Sequence, residues 1–424
     1  IIMSGPVANN IFRSSGVVVA AAGGLSWQPV VTASTLSASA GNGYWINTTS
    51  NACTITLPGS AEAGDQIIFV DYARTWGTNA IIIDSNGLNF QGEPDAYTVD
   101  YDTSGQAVNL VYSGATIGWT PSSDIVNALE PVAPQTQKAL FGYGSNASSY
   151  FSLTNLINSS GVVATDTTGV GTARQQVGAA SYGGDKAIFG FGYDASEANV
   201  SMTNLVNNSG VVAADVTGVG TARRELAAAA YGGDKALFGY GNTGSNSSLT
   251  NLVSNSGVVA SDTTGVGTAR VRLAAAGYGL DKAIFGYGNS GSDVSMTNLV
   301  NNSGVVATDV SGVGTARDQL AAAAYGSTGQ AIFAYGSTGS SVSISNLVSS
   351  SGVVASDVSG VGTARKDLAA TNYGGDKAIF GYGNSGSITN ISNLVNNNGV
   401  VASDTTGVGT SRYRLGAAGY SISA

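Results

Sequence analysis

From residue 138 onward, short apolar runs alternate with small and polar residues in a pattern that returns every 47 to 49 positions. The run K-A-(I/L)-F-G-Y-G and its close variants begins at Lys138, Lys186, Lys235, Lys282, Gln330 and Lys377. The arginine of T-A-R or T-S-R falls at Arg174, Arg223, Arg270, Arg317, Arg365 and Arg412. Within one unit, Thr221 to Val266, four runs read as strands: RRELAAAAY, KALFGYG, SLTNLV and GVVASD. Gly, Asn, Ser or Asp bounds each run where a chain must reverse. In the turn Ser-Asn-Ser-Gly, Gly257 stands where a short hairpin needs positive φ.

Four antiparallel strands in a repeat of about 45–50 residues is the size of one propeller blade, so the pattern predicts a six-bladed β-propeller over 138–424. The Ala-rich first run, such as Leu226 to Ala230, suits strands that crowd an axis. Phe189, Phe238, Phe285, Phe333 and Phe380 of the second run are expected between blades. The array opens at Lys138 without a first strand, and Ser411 to Tyr420 (SRYRLGAAGY) is a first strand with no blade after it. The C-terminal strand is therefore expected to complete the first blade and remove an open edge. A linear solenoid of the same period is the competing reading, and it leaves the complementary ends unexplained.

Residues 27–120 do not repeat. Alternation in ACTITLP, QIIFVDYA, AIIIDS and AVNLVYS predicts a separate small β-sandwich. A Pro-containing linker follows at 121–137, with Pro131 and Pro134. Residues 10–20 (NIFRSSGVVVA) match 204–214 (NLVNNSGVVAA). Either a degenerate hairpin precedes the sandwich or the start is the tail of a larger upstream element. The hairpin is the reading taken for 1–26, as an attachment segment.

Composition sharpens this picture. Sixty Gly, seven Pro and 10% charged residues suit short strands and tight turns, not a disordered chain. There is no His and one Cys, which removes the commonest general base, disulfides and thiolate metal clusters. Cys53, inside an alternating run, reads as a buried small hydrophobe. The net charge of −9 is concentrated in residues 1–137, with 2 basic against 10 acidic side chains. No basic stripe for nucleic acid and no polybasic membrane patch is present. Gly16 to Gly24 (GVVVAAAGG) is too short to span a bilayer. With Arg13 as its only basic residue, the start does not read as a signal peptide, and the absence of an initial Met suggests processing or a fragment.

Comparing the copies with one another separates fixed from variable positions. From the Thr or Ser of T-N-L or S-N-L to the next T-A-R arginine the distance is constant, whereas length varies in the loops 144–152, 192–201, 241–248, 288–295, 336–343 and 383–390. The two residues after each arginine also change freely, from Gln175-Gln176 through Tyr413-Arg414. Drift on an unconstrained surface is the default account. The alternative is a contact face, whose candidate residues are Asn146, Tyr150, Tyr193, Glu197, Asn246, Asp293 and Tyr413.

Asp166, Asp215, Asp262, Asp309, Asp357 and Asp404 recur with the arginines. Such recurrence suggests a structural role, either as an Asx-type turn or through an arginine tying neighbouring blades. The D-x-(T/S)-G-V-G loop lacks the carboxylate spacing of an EF-hand, and G-V-G-T-A-R is followed by no helix of a phosphate loop. No catalytic, cofactor or metal residue is expected. The non-repeated acids Asp194, Glu197, Glu225, Asp293, Asp318 and Asp367 fall in different blades, with no pair of the kind a glycosidase needs.

The order T-A-R, apolar strand, G-G-D-K, I-F-G-Y-G, S-x-T-N-L-V resembles the kelch repeat family over 138–424. It departs from that family in having Gly-Tyr-Gly for the double Gly, and in placing all four Trp before the array. TITLPGSAEAGDQIIFVDYA, NGLNFQGEPDAYTV and GQAVNLVYSGATIGW resemble the small β-sandwich modules of phage tail fibres and tailspikes. The second resemblance implies a non-enzymatic virion protein, a tail fibre or receptor-binding subunit located on a tail or capsid appendage. Its N-terminal region would bind other virion proteins and its propeller a host surface glycan or protein; it would be a trimer, with no nucleic-acid partner or membrane insertion. A secreted bacterial adhesin or lectin, and a polysaccharide-degrading tailspike, are the alternatives.

Overall fold

The computed structural model describes residues 25–95, 98–123 and 136–423, together with the short strands at 13–14 and 17–18. The protein is all-β among the described residues, with no helix and nine separate sheets. It divides into two compact units, Ile1–Val132 and Ala133–Ala424.

In the first unit, β1 (Arg13–Ser14) pairs antiparallel with β2 (Val17–Val18). The rest of 1–24 and most of the expected linker lie outside the described residues. Nine further strands follow: β3 (Ser26–Trp27), β4 (Thr35–Ser37), β5 (Asn42–Ile46), β6 (Cys53–Thr56), β7 (Gln66–Asp71), β8 (Ile81–Asp84), β9 (Val99–Tyr101), β10 (Ala107–Tyr112) and β11 (Trp119–Pro121). They form a five-stranded sheet, β11-β10-β7-β5-β3, and a four-stranded sheet, β4-β6-β8-β9. From β3 to β8 the chain alternates between the two sheets, so the neighbours β3·β5, β5·β7, β4·β6 and β6·β8 are parallel. Period-2 alternation marks which residues face inward but carries no strand direction, which is why the sequence did not disclose these parallel pairs. One apolar cluster draws on both sheets, including Ile46, Cys53, Ile55, Phe69, Ile83, Leu110 and Trp119. Cys53 is buried there, and burial raises its thiol pKa.

The second unit holds six antiparallel sheets, here I to VI. Each has an Ala-rich first strand, a K-A-(I/L)-F second and an N-L-(V/I) third, and sheet II adds the short strand Arg174–Gln175. Sheet III shows the pattern in Ala227–Tyr231, Lys235–Asn242 and Asn246–Val253. Sheet I takes its first strand from Gly416–Tyr420, which pairs with Lys138–Gly142 from Lys138↔Tyr420 to Gly142↔Gly416. The complementary ends therefore meet as expected.

Contacts between sheets run in a cycle. The first strand of each sheet touches that of the next, and the strand of sheet VI (Ala369–Tyr373) touches that of sheet I. Six apolar clusters each straddle two neighbouring sheets. A belt of main-chain hydrogen bonds follows the same order: Gly183 donates to Asp234, Gly232 to Asp281, Gly279 to Gly329, Gly326 to Asp376, Gly374 to Gln137, and Ser421 to Asp185. At the Ser-Asn-Ser-Gly turn Gly257 has φ +82°, and a Cβ there would lie 2.9 Å from the Tyr182 ring of the preceding sheet.

Two expectations need correction. The fourth run, GVVASD, is not a strand: in sheet III it meets the third strand only at the bridges Val253↔Val259 and Thr250↔Thr263. Between them the Asn251 side chain donates to the Ala260 carbonyl at 3.0 Å, taking the acceptor that a continuous ladder would use. The stretches 192–201 and 241–248 are not loops throughout, because sheets II and III extend into them, with Lys186–Asp194 pairing Asn199–Val206 and Lys235–Asn242 pairing Asn246–Val253.

Candidate functional site

The repeated polar residues are occupied with one another. Arg174 is fully buried; its Nε donates to the Phe191 carbonyl at 2.9 Å, Nη1 to the Thr172 carbonyl at 3.0 Å and Nη2 to Asn204 Oδ1 at 2.7 Å. Asn204 donates in turn to Asp215, which also accepts from the Thr172 hydroxyl at 2.7 Å and its amide at 2.9 Å. The guanidinium lies 4.3 Å over the ring of Tyr143 in the preceding sheet. A buried charge is tolerated only when its donors are satisfied and a partner stands near, and this clamp meets both conditions.

All six arginines stack on the ring before them, at 4.3 to 4.5 Å. The rings, Tyr143, Phe191, Tyr240, Tyr287, Tyr335 and Tyr382, sit at φ +61° to +64°, unusual for bulky residues. Each is also held by a Phe of the next sheet, as Tyr143 is by Phe189 at 5.0 Å. The arginines thus tie neighbouring sheets as expected. The aspartates do not make Asx turns; they reach back to the threonine of T-A-R. Burial disfavours their charged form, but the Thr and Asn donors and the arginine outweigh it and hold Asp166, Asp215, Asp262, Asp309, Asp357 and Asp404 below the usual carboxylate range.

The second residue after each arginine does what sequence reading missed. Gln176, Glu225, Arg272, Gln319, Asp367 and Arg414 all have φ between +54° and +57°. Five main-chain bonds link them in turn, Arg414 to Asp367, Asp367 to Gln319, Gln319 to Arg272, Arg272 to Glu225, and Gln176 to Arg414. Their side chains line one common mouth. Gln176 Nε2 donates to Glu225 at 2.9 Å, Arg272 Nε to Glu225 at 3.0 Å and Nη1 to Asp318 at 3.4 Å, and Gln319 Nε2 to Asp367 at 2.9 Å. Arg414 lies 3.6 Å from Asp367. The sequence placed Glu225, Asp318 and Asp367 apart in different blades; because the repeats converge here, the structure brings them together. Burial, with Asp293 and Asp367 adding repulsion against the pull of Arg272, pushes Asp318 up to about 6. A cavity of about 110 Å³, lined by Ala, Gly and Tyr in and beside the first strands, lies between the sheets. The free variation of the pair after each arginine was the visible signal, but its shared left-handed backbone was not.

The candidate contact residues fall in two groups. Ser145 bridges to both Tyr150 and Tyr413, and Gln175 pairs with Tyr193 in the strand register. These three tyrosines are brought together in sheets I and II. Tyr193 carries Arg224 at 4.5 Å over its ring, and Tyr413 carries Arg414 at 4.9 Å. Asn146 is used by its own turn, accepting from the amides of Ser148 and Ser149. Glu197 is exposed at the tip of the sheet II hairpin, with φ +59°. Asn246 donates to the Asn289 carbonyl and Asp293 accepts from the Asn289 amide, so both stand at the III–IV junction. In the first unit Trp119 is fully buried, whereas Trp27 is 46% exposed and stacks on Trp45 at 4.4 Å. Among the described residues no group of three or more His, Cys, Asp or Glu is placed to hold a metal. No protein-family model and no curated protein matches the sequence.

Proposed function

We propose that residues 138–424 form a six-bladed, kelch-like β-propeller closed by the C-terminal strand, preceded by a small β-sandwich. We further infer that the protein is a non-enzymatic virion component, a phage tail fibre or receptor-binding subunit. In this reading the N-terminal region attaches to other virion proteins, the sandwich spaces or trimerises the fibre, and the propeller presents its loops to a host surface glycan or protein.

The propeller reading is supported by the sheet-to-sheet belt that runs from Gly183 through Gly374 and returns from Ser421 to Asp185. The binding role rests on a division of labour within the repeat. The repeated asparagine bonds the repeated aspartate in all six copies and the arginine bonds that asparagine in five, Arg365 and Asn393 being the exception, while the variable second residue after each arginine lines one mouth. A scaffold of this kind leaves its variable loops free for a partner.

Cryo-EM of particles purified from the source tests the reading: density for this chain at a tail or capsid appendage, with a six-bladed ring at its distal end, is expected. Absence from any particle, with the protein on a cell surface, replaces it with an adhesin. A second reading, cleavage of surface polysaccharide, is favoured by Asp318, pushed up to about 6 and sharing Arg272 with a second carboxyl group, that of Glu225, since glycosidases work with two carboxyl groups. Release of reducing sugar ends by pure protein, abolished in Asp318→Asn, would establish it.

A further inference from the structure

A site for one asymmetric ligand has to depart from the sixfold repeat, and the aromatic side chains beside the variable residues after each arginine do so in one place. Tyr193 of sheet II, paired with Gln175, has as its counterparts Asn242, Asn289, Ser337 and Asn384 in sheets III to VI, paired with Arg224, Val271, Asp318 and Lys366. Tyr413 stands where those sheets have Arg224, Val271, Asp318 and Lys366; Tyr150 stands where sheets IV to VI have Asp293, Ser341 and Ile388. The three tyrosines therefore occupy adjoining sheets, and the matching positions of the other four sheets carry no aromatic ring.

Polar contacts bind them into one patch. Gln175 Nε2 donates to the Tyr150 hydroxyl at 3.4 Å, and its Oε1 accepts from the Ser145 hydroxyl at 2.6 Å. Ser145 also exchanges main-chain hydrogen bonds with Tyr413, at 2.9 and 3.0 Å. Arg224 steadies the Tyr193 ring from one side and reaches Asn199 at 3.4 Å. All three tyrosines are half-buried, so each ring is fixed by its neighbours while part of it stays open to solvent.

Half-exposed aromatic rings beside amide and hydroxyl groups match a ligand with an apolar face and hydroxyl edges. The ring faces take C–H groups and the tyrosine hydroxyls both donate and accept, while Gln175 and Ser145, themselves buried, hold Tyr150 in place. We propose that Tyr150, Tyr193 and Tyr413, with Gln175 between them, form a saccharide-binding site across sheets I and II. This assignment rests on the receptor-binding reading and narrows it to a glycan and to one pair of adjoining sheets.

The probe is an immobilised panel of bacterial surface oligosaccharides, read alongside binding of the full chain to whole bacterial cells. The wild-type chain is expected to bind at least one oligosaccharide. Tyr150→Ala, Tyr193→Ala and Tyr413→Ala are each expected to weaken that binding about tenfold, while the matching Phe variants, which keep the ring, retain most of it. Lys366→Ala with Ile388→Ala, the equivalent positions of sheet VI, is the control and should leave binding unchanged. Oligosaccharide binding that survives the triple Ala variant overturns the site but keeps the receptor-binding reading. Cell binding that withstands periodate oxidation of the cells but not protease overturns the saccharide. Binding to neither cells nor oligosaccharides overturns both the site and the reading it rests on.

Discussion

The two units bury their interiors by different means. In the first, one continuous apolar cluster draws on both sheets. In the second, six small clusters each belong half to one sheet and half to the next, and six fully buried arginines lie among them. A pooled core makes each side chain's loss a matter of transfer and cavity. A divided core held by clamps makes each sheet depend on its neighbour, with stability set by nearest-neighbour interfaces. The chain supplies its own reporters for telling the two apart, since all four Trp precede residue 138 while most Tyr follow it.

The largest expected effect is on the clamp. Arg270→Ala removes the cation from beside Asp309 and the donor to Asn298 Oδ1, and leaves a void over Tyr240; breaking one buried member of such a network costs about 3–5 kcal/mol. Thermal unfolding should show the far-UV and Tyr transition moving down while the Trp transition stays in place; a shift of both would mean that the units do not unfold separately. The converse probe is Cys53→Ser, which puts a hydroxyl into the apolar cluster of the first unit at about 1–3 kcal/mol and should move the Trp transition alone.

The next effect concerns pH and has opposite signs at two places in the second unit. The six clamp aspartates, held low in the fold, contribute stability that is complete above the ordinary carboxylate range and is lost as pH falls through and below it. Asp318 is raised to about 6, so from an unfolded value near 4 the fold loses stability as pH rises to about 6. Asp318→Asn should flatten that slope and raise stability at pH 7 by about 1–2 kcal/mol. It should not abolish the slope, because Asp367 is also raised, by burial against the pull of Arg414. Urea titrations at pH 4, 5 and 7 measure this, and an unchanged slope would remove Asp318 from the account.

The smallest effect is steric. A Cβ on Gly286 would lie 2.7 Å from the Phe333 ring of the next sheet. Sheet V already has Ala334 at this position, and there the Tyr335–Phe380 rings stand 5.4 Å apart, against 5.1 Å for Tyr287–Phe333. Gly286→Ala should therefore cost only about 1 kcal/mol, read as a small drop in the Tyr transition.

What was legible in the sequence follows from what a repeat makes visible. The Ala-rich, K-A-(I/L)-F and N-L-(V/I) runs are strands in all six sheets, and residues 416–420 pair with 138–142 because hydrophobic period and landmark order are local properties. The failure of GVVASD to form a strand was hidden, since it depends on Asn251 and its equivalents choosing a carbonyl across the turn. The parallel pairs of the first unit were hidden because alternation has no direction. The ring of Glu225, Arg272 and Asp367 was hidden for a third reason: residues about 50 positions apart become neighbours only when the sheets converge.

The pairing of residues 416–420 with 138–142 also has a temporal side. Lys138 leaves the ribosome some 280 residues before Tyr420, its strand partner. Until then Leu140 and Phe141 lack one flank, and the cycle stands open on two sides. Sheets II to VI can form as they are made, each on the one before, but closure is a single late event between segments far apart in sequence, the kind of contact that slows folding most. Until Gly416–Tyr420 has been made and pairs with Lys138–Gly142, the cycle of contacts between sheets lacks its last link.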